Sequence, residues 1–156
     1  MRLHLVAVGT RMPAWVKESF SDYNKRLPRE FQLNLLELTP ATRRKATSTE
    51  KIVTDEANRI RDAIPEGSMV IALDENGKQF DSLSLSKKLG SWAQQGRNIT
   101  FVIGGADGLA DDLKKSADVL WSLSSLTLPH ALVRVILVEQ IYRAWTIMKG
   151  HPYHRE

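Results

Sequence analysis

Residues 121–156 read WSLSSLTLPHALVRVILVEQIYRAWTIMKGHPYHRE, and how this stretch is read decides the fold. A polar turn, Ser122 to Leu128, leads through Pro129 into one long apolar segment, and a short polar tail with two histidines follows. The segment predicts a helix over 131–148. At roughly 100° per residue, Glu139 and Arg143 lie roughly 140–180° round from Arg134. The arcs between hold Leu132, Val133, Val135, Ile136, Leu137, Val138, Ile141, Ala144, Trp145 and Met148. A surface helix carries one apolar stripe and one wet face. This one is apolar over most of its circumference and predicts burial on two sides. One side faces the domain's own sheet. The other faces a second subunit, unless the helix is simply the centre of a core. With a second subunit, Arg134, Glu139 and Arg143 stand at an interface or a site.

Outward from this helix, short apolar runs alternate with helical patterns. Strands are predicted over 2–8, 31–38, 69–73, 98–103 and 119–122, with helices over 13–27, 50–63, 82–94 and 109–116 between them. Trp15, Phe20, Tyr23 and Leu27 suit one packing face of the first helix, and Pro13 sits well near its start. The 31–38 strand reads as less buried at its start. Ser48 or Thr49 caps the second helix, whose Ile52, Val53, Ala57 and Ile60, with Ile64 just beyond, face the core. Residues 74–77 end the third strand. Strands alternating with helices predict a parallel sheet with helices on both faces, an α/β/α sandwich. In such sheets ligands sit beyond the C-terminal strand ends, which singles out the loops after Leu73, Ile103 and Ser122.

The chain has 156 residues, suited to one domain, 1–156, with a sizeable core. It contains no cysteine, which removes disulfides, thiolate catalysis and Cys-bound zinc and fits a cytoplasmic protein. Leu3 to Val8 is too short for a secretory signal, and no apolar run is long enough to span a membrane. The net charge of +4 lies wholly in residues 1–65, which hold 12 basic and 8 acidic side chains, against 10 of each in the remainder. A basic half favours a polyanionic partner, although solubility alone can account for such a charge. Arg43, Arg44 and Lys45 read as a mobile basic loop suited to RNA phosphates.

Gly104-Gly105-Ala106-Asp107-Gly108 follows a strand and precedes a helix. It is either a tight turn or a place where backbone approaches a ligand. It is neither a P-loop, lacking the Lys-Ser/Thr pair, nor the dinucleotide fingerprint, which belongs after the first strand. The run Ser122 to Leu128 can grip a flat purine between leucines, or can be a packed connector. In the tail, Tyr153 can stack on a base, Arg155 can pair with phosphate and His154 can exchange a proton near neutral pH. The alternative is a frayed terminus. His130, His151 and His154 lack a metal-ligand spacing.

Together these stretches resemble a known family. Gly104-Gly105-x-x-Gly108, Leu123 to His130, Leu132-Val133-Arg134, Glu139-Gln140-x-Tyr142-Arg143-Ala144-Trp145 and the closing His-Pro-Tyr-His-Arg-Glu are similar to the ribosomal large-subunit pseudouridine-N3 methyltransferases of the SPOUT superfamily. Leu5-x-x-Val8-Gly9-Thr10 and Met12-Pro13-x-Trp15 also match, so the resemblance spans the chain. It implies an α/β fold with a deep C-terminal trefoil knot, a homodimer, and S-adenosyl-L-methionine as cofactor. It places Leu73, Gly104, Gly105 and Leu123, Ser124, Ser125, Leu126, Thr127 and Leu128 on the cofactor. It makes 149–156 a catalytic tail whose Tyr153, His154 and Arg155 act at the target base, supplied by the partner subunit. The implied substrate is a pseudouridine in helix 69 of 23S rRNA within the assembled 70S ribosome, with no metal and no membrane. Arg134 and Arg143 join Arg43, Arg44 and Lys45 as expected RNA contacts. The family's glycine loop commonly reads Gly-Gly-Pro-Glu-Gly. Ala106 here loses the stiffness of proline, and Asp107 is shorter by a methylene. The rival expectations are a non-enzymatic ribosome-binding protein and a related methyltransferase acting on tRNA.

Overall fold

The computed structural model describes residues 1–155; Glu156, the last residue of the expected tail, lies outside them. Strand β1 (Leu3–Val8) is followed by α1 (Ala14–Arg26), β2 (Leu33–Leu38), α2 (Thr49–Ala63), β3 (Met69–Lys78), α3 (Ser82–Gln95), β4 (Ile99–Ile103), α4 (Asp111–Ser116), β5 (Val119–Trp121) and α5 (His130–Lys149). The strands form one sheet in the order β2-β1-β4-β3-β5, and every pairing is parallel. Because side chains alternate across a strand, β1 feeds two cores. Leu3, Leu5 and Ala7 pack with Phe20 of α1, Leu85 and Leu89 of α3, and Leu137 and Ile141 of α5. Val6 and Val8 pack with Ala57 and Ile60 of α2 and Leu113 of α4. The result is the α/β/α sandwich that the alternation predicts.

Local chemistry sets the helix ends. Ser48 Oγ accepts the Lys51 N–H at 3.2 Å to cap α2, and Asp81 accepts the Ser84 N–H at 2.7 Å to cap α3. Gly96 and Gly150 take left-handed φ of 70° and 67° at the ends of α3 and α5. Helix α5 lies against both α1 and α3. Leu132 is its exposed apolar residue, at 38%, while Val135, Ile136, Trp145 and Ile147 are half-buried. Much of the expected two-sided burial is therefore supplied within the chain.

Three local expectations are corrected. Trp15 is 49% exposed and Val16 takes its place on the inner face of α1, beside the expected Phe20, Tyr23 and Leu27. Edge strand β2 is buried at its start, at Leu33, and open further along, at Leu35 and Leu36. Strand β3 does not stop at Leu73 but continues to Lys78, where it pairs with Trp121 after an irregularity. Gly77 makes that second pairing possible, since a Cβ there would lie 2.6 Å from the Leu120 carbonyl.

Candidate active site

A parallel sheet gathers all C-terminal strand ends at one edge. The second half of β3 and the loops after β4 and β5 line a cavity of about 600 Å³ there, within the range of small-molecule sites. Each wall has its own local cause. In the β3 wall, Asp74 accepts the Asn76 N–H at 3.0 Å and faces Lys114 of α4 at 3.9 Å. Glu75 accepts a hydrogen bond from the Thr127 hydroxyl at 3.3 Å, joining this wall to the β5 loop.

The β4 wall is the glycine loop. Gly108 has φ +79°, the left-handed region that favours glycine, and its N–H closes a turn on the Gly105 carbonyl at 3.0 Å. The other two glycines are required by space. A Cβ on Gly104 would meet the Gly108 backbone at 2.9 Å, and one on Gly105 would meet Glu56 Oε1 at 2.8 Å. Glu56 is 4% exposed, and its other carboxylate oxygen accepts the Ala41 N–H at 3.0 Å. Arg43 forms an ion pair with Asp107. The basic segment after β2 is thus fastened at Ala41 and at Arg43, and Arg44 to Thr47 closes a turn at 2.9 Å. It is not the free loop read from sequence, although Arg44 and Lys45 remain exposed.

The β5 wall is irregular, as its alternating polar and apolar residues predict. The Ser122 hydroxyl donates to the Ser124 carbonyl at 2.7 Å, and Ser124 Oγ accepts the Leu126 N–H at 2.9 Å. Leu126 is left 71% exposed at the rim. His130, the first residue of α5, completes the wall. Arg134 Nε donates to His130 Nε2 at 2.9 Å, and His130 Nδ1 lies 3.0 Å from the Gly104 carbonyl. Burial, and then the Arg134 charge, hold its pKa below the usual histidine value.

Leu73, Gly104, Gly105, Leu123, Ser124, Leu126, Thr127 and Leu128 all line the cavity, whereas Ser125 does not. The sequence reading singled out the stretch after Leu73 without naming Asp74, Glu75 or Asn76 as site residues, and it gave His130 no role at the site. His130 left its own signal, standing directly after Pro129 with Arg134 one helical turn later. The expected RNA contact at Arg134 is corrected: its side chain is 2% exposed and donates to the Gly9 carbonyl at 2.9 Å, to Glu37 and to His130. Arg143 is engaged too, through Glu139 at 2.9 Å.

The tail forms an ordered turn at Pro152–His154. The Tyr153 hydroxyl donates to Glu139 at 2.9 Å, its ring meets Tyr142 edge-on at 4.6 Å, and the Arg143 guanidinium lies 5.0 Å from its centroid. Burial first, then hydrogen bonding, pushes the Tyr153 pKa well above that of a free tyrosine. His154 Nδ1 is buried without a partner among the described residues, and Arg155 is exposed. None of Tyr153, His154 and Arg155 lines the cavity. Tyr153 folds back only to the level of Glu139. That point is nine residues beyond His130, about 14 Å along the axis, and on the opposite face of the helix. Within one chain, the expected cofactor residues come together and the expected catalytic residues do not join them.

Comparison with known proteins identifies the family. The model described as "Predicted SPOUT methyltransferase" matches residues 1–154. A protein of Thioalkalivibrio sulfidiphilus named ribosomal RNA large subunit methyltransferase H is 49% identical over the whole of both chains. A Paraburkholderia xenovorans protein of the same name is 50% identical over 99% of each. Among solved structures, a probable methylase family protein from Haemophilus influenzae superposes with a TM-score of 0.61 at 14% identity, covering 99% of this chain and 70% of that one. That likeness is one of fold. With the parallel sheet, the loop-built cavity and full-length similarity to these relatives, the chain belongs to the SPOUT methyltransferase family.

Proposed function

We propose that this protein is an S-adenosyl-L-methionine-dependent 23S rRNA methyltransferase that modifies N3 of a pseudouridine in helix 69 of assembled ribosomes, working as a cytoplasmic homodimer. The reading is carried by one observation: the cavity and the ordered tail lie on different faces of α5, so a complete site takes the cavity of one copy and the tail of another. Relatives named as large-subunit rRNA methyltransferases, sharing about half of the sequence, support the substrate class.

The cavity fits the cofactor in chemistry as well as size. The leucines of the β5 loop suit an adenine ring, and Glu75 supplies negative charge beside a cationic ligand, while Asp74 and Asp107 are balanced by Lys114 and Arg43. Leu73, the glycine loop and residues 123–128 would hold it. When bound, the cofactor supplies a methyl group already activated on a sulfonium, so the protein's task is to orient the base and manage its proton. The imide N–H of pseudouridine is a poor nucleophile until that proton leaves. His154 takes the proton, and Arg155 holds a phosphate or the developing anion. Tyr153, bonded to Glu139 and covered by Arg143, holds the turn in shape in place of the base stacking read from sequence. Arg44 and Lys45 provide phosphate contacts outside the cavity. The deep trefoil knot of the family is assigned to the C-terminal strands and loops that build the cavity.

The test is transfer of labelled methyl from S-adenosyl-L-methionine to ribosomes lacking the modification, with free 23S rRNA and tRNA in parallel. Label mapping to the helix-69 pseudouridine supports the proposal. Label in tRNA moves the substrate, and absence of cofactor binding by folded protein returns the chain to a non-enzymatic ribosome-binding role.

A further inference from the structure

Arg134 is the largest fully buried side chain of the protein, and its charge sits beside the cavity without lining it. Its three donor positions reach three elements. Nη2 donates to the Gly9 carbonyl after β1 at 2.9 Å, Nη1 pairs with Glu37 near the end of β2, and Nε donates to His130 Nε2 at 2.9 Å. A guanidinium only donates. His130 Nε2 must therefore carry the lone pair, and the ring proton sits on Nδ1. That proton points at the Gly104 carbonyl, 3.0 Å away, and Gly104 is the first residue of the glycine loop. The chain Glu37–Arg134–His130–Gly104 thus fixes one tautomer and ties one carbonyl of the glycine loop to the first residue of α5.

We infer that Glu37, Arg134 and His130 are positioning residues that pre-organise the glycine loop for the cofactor, acting through the Gly104 carbonyl. The inference rests on the proposed cofactor site. Without the His130 bond, the Gly104 peptide can rotate, and the loop must be ordered at the moment of binding. A loop held ready binds more tightly because that ordering cost is absent. Gly9 belongs to the same design. Its φ of +144° and the 3.4 Å from a Cβ there to Arg134 Nη2 let the backbone present its carbonyl to a fully buried cation. A buried arginine with all three nitrogens engaged is stabilised, whereas removing one partner leaves a charge stranded. Substituting Arg134 itself therefore threatens folding, and His130 is the position to change.

The two amides separate the roles. His130→Asn keeps an N–H near the place of Nδ1 and can still donate to Gly104. His130→Gln places its amide near Nε2, where it can face Arg134 but no longer reaches Gly104. Both keep the Glu37–Arg134 pair. Binding of S-adenosyl-L-methionine is measured by calorimetry for the wild type and both variants, with melting temperatures and hydrogen exchange at residues 104–108 in the cofactor-free proteins. The expected result is a Kd raised about three- to tenfold in His130→Gln, the scale of one hydrogen bond, with faster exchange in the loop. His130→Asn, which keeps the Gly104 bond but trims the cavity wall and frees Arg134 Nε, raises Kd less than His130→Gln does. In turnover assays KM for the cofactor rises in His130→Gln while kcat holds. Equal affinities and exchange in all three proteins, or a fall in kcat at unchanged KM, overturns the positioning role. A wild type that binds no cofactor overturns the site reading instead.

Discussion

At the residue scale, close packing rather than unusual backbone governs the cavity wall. Gly104→Ala and Gly105→Ala each force a Cβ to within 3 Å of backbone or of a buried carboxylate. The glycine loop must shift for Gly104, and either the loop or Glu56 for Gly105, at a cost of about 1–3 kcal/mol, and calorimetry should show cofactor affinity falling about fivefold or more in each. Undiminished affinity would mean that the loop does not form the binding wall. His130 makes a second prediction. Its pKa lies below 6.5 in the folded protein, through burial and the Arg134 charge, and burial lowers His4 as well. As pH falls, the unfolded chain therefore takes up these protons first. Stability is full above about 6.5 and is lost as the pH falls from there towards the lower folded values. Denaturant titrations between pH 7 and 5 should show the loss, and His130→Asn should reduce its slope; an equal slope in the variant would place the effect elsewhere. The glycines of this wall were legible because three in five residues already imply crowding. Glu37 and Glu56 were not. Glu37 meets Arg134 across 97 residues of sequence, and Glu56 meets Ala41 across 15. No local pattern distinguishes a carboxylate on an outer face from one turned inward.

At the scale of elements, α5 holds the molecule together. Its all-round apolar sequence correctly signals burial, but periodicity does not say what buries it, and α1 and α3 take much of the surface that sequence assigned to a second subunit. The tail depends on α5 in turn, through Tyr153, Glu139, Tyr142 and Arg143. Ending the chain after Met148 should leave cofactor affinity within about threefold while cutting methyl transfer at least a hundredfold, as expected when a general base is removed. Unchanged turnover would remove the tail from the chemistry. Strand positions were largely legible from apolar runs. The extension of β3 to Lys78 was not, because Asp74-Glu75-Asn76-Gly77 reads as a turn and pairs only because Gly77 admits the β5 backbone.

At the scale of the whole molecule, parallel strands bring the far half of β3 and the loops after β4 and β5 to one sheet edge, so most of the cavity lining could be anticipated from the fold class and the family resemblance together. Which face the tail takes could not be read this way. The basic excess of residues 1–65 gives the surface its own test. Neutralising Arg44 and Lys45 should weaken ribosome binding and lower the salt slope by about 0.7–0.9 for each phosphate that the variant no longer neutralises; an unaltered slope would exclude them from the footprint. The proposed homodimer predicts sedimentation at twice the 17.6 kDa of one chain, and a species of one chain's mass alone would contradict it. The central claim, a site completed between two copies, is tested most directly by subunit complementation. Protein disabled in the cavity by Gly105→Val and protein ending after Met148, each inactive alone, are unfolded together, refolded and assayed for methyl transfer to ribosomes. Recovered activity, from dimers with one intact cavity and one intact tail facing it, is the predicted result. Mixed dimers shown by mass spectrometry to form yet to transfer no methyl would contradict it.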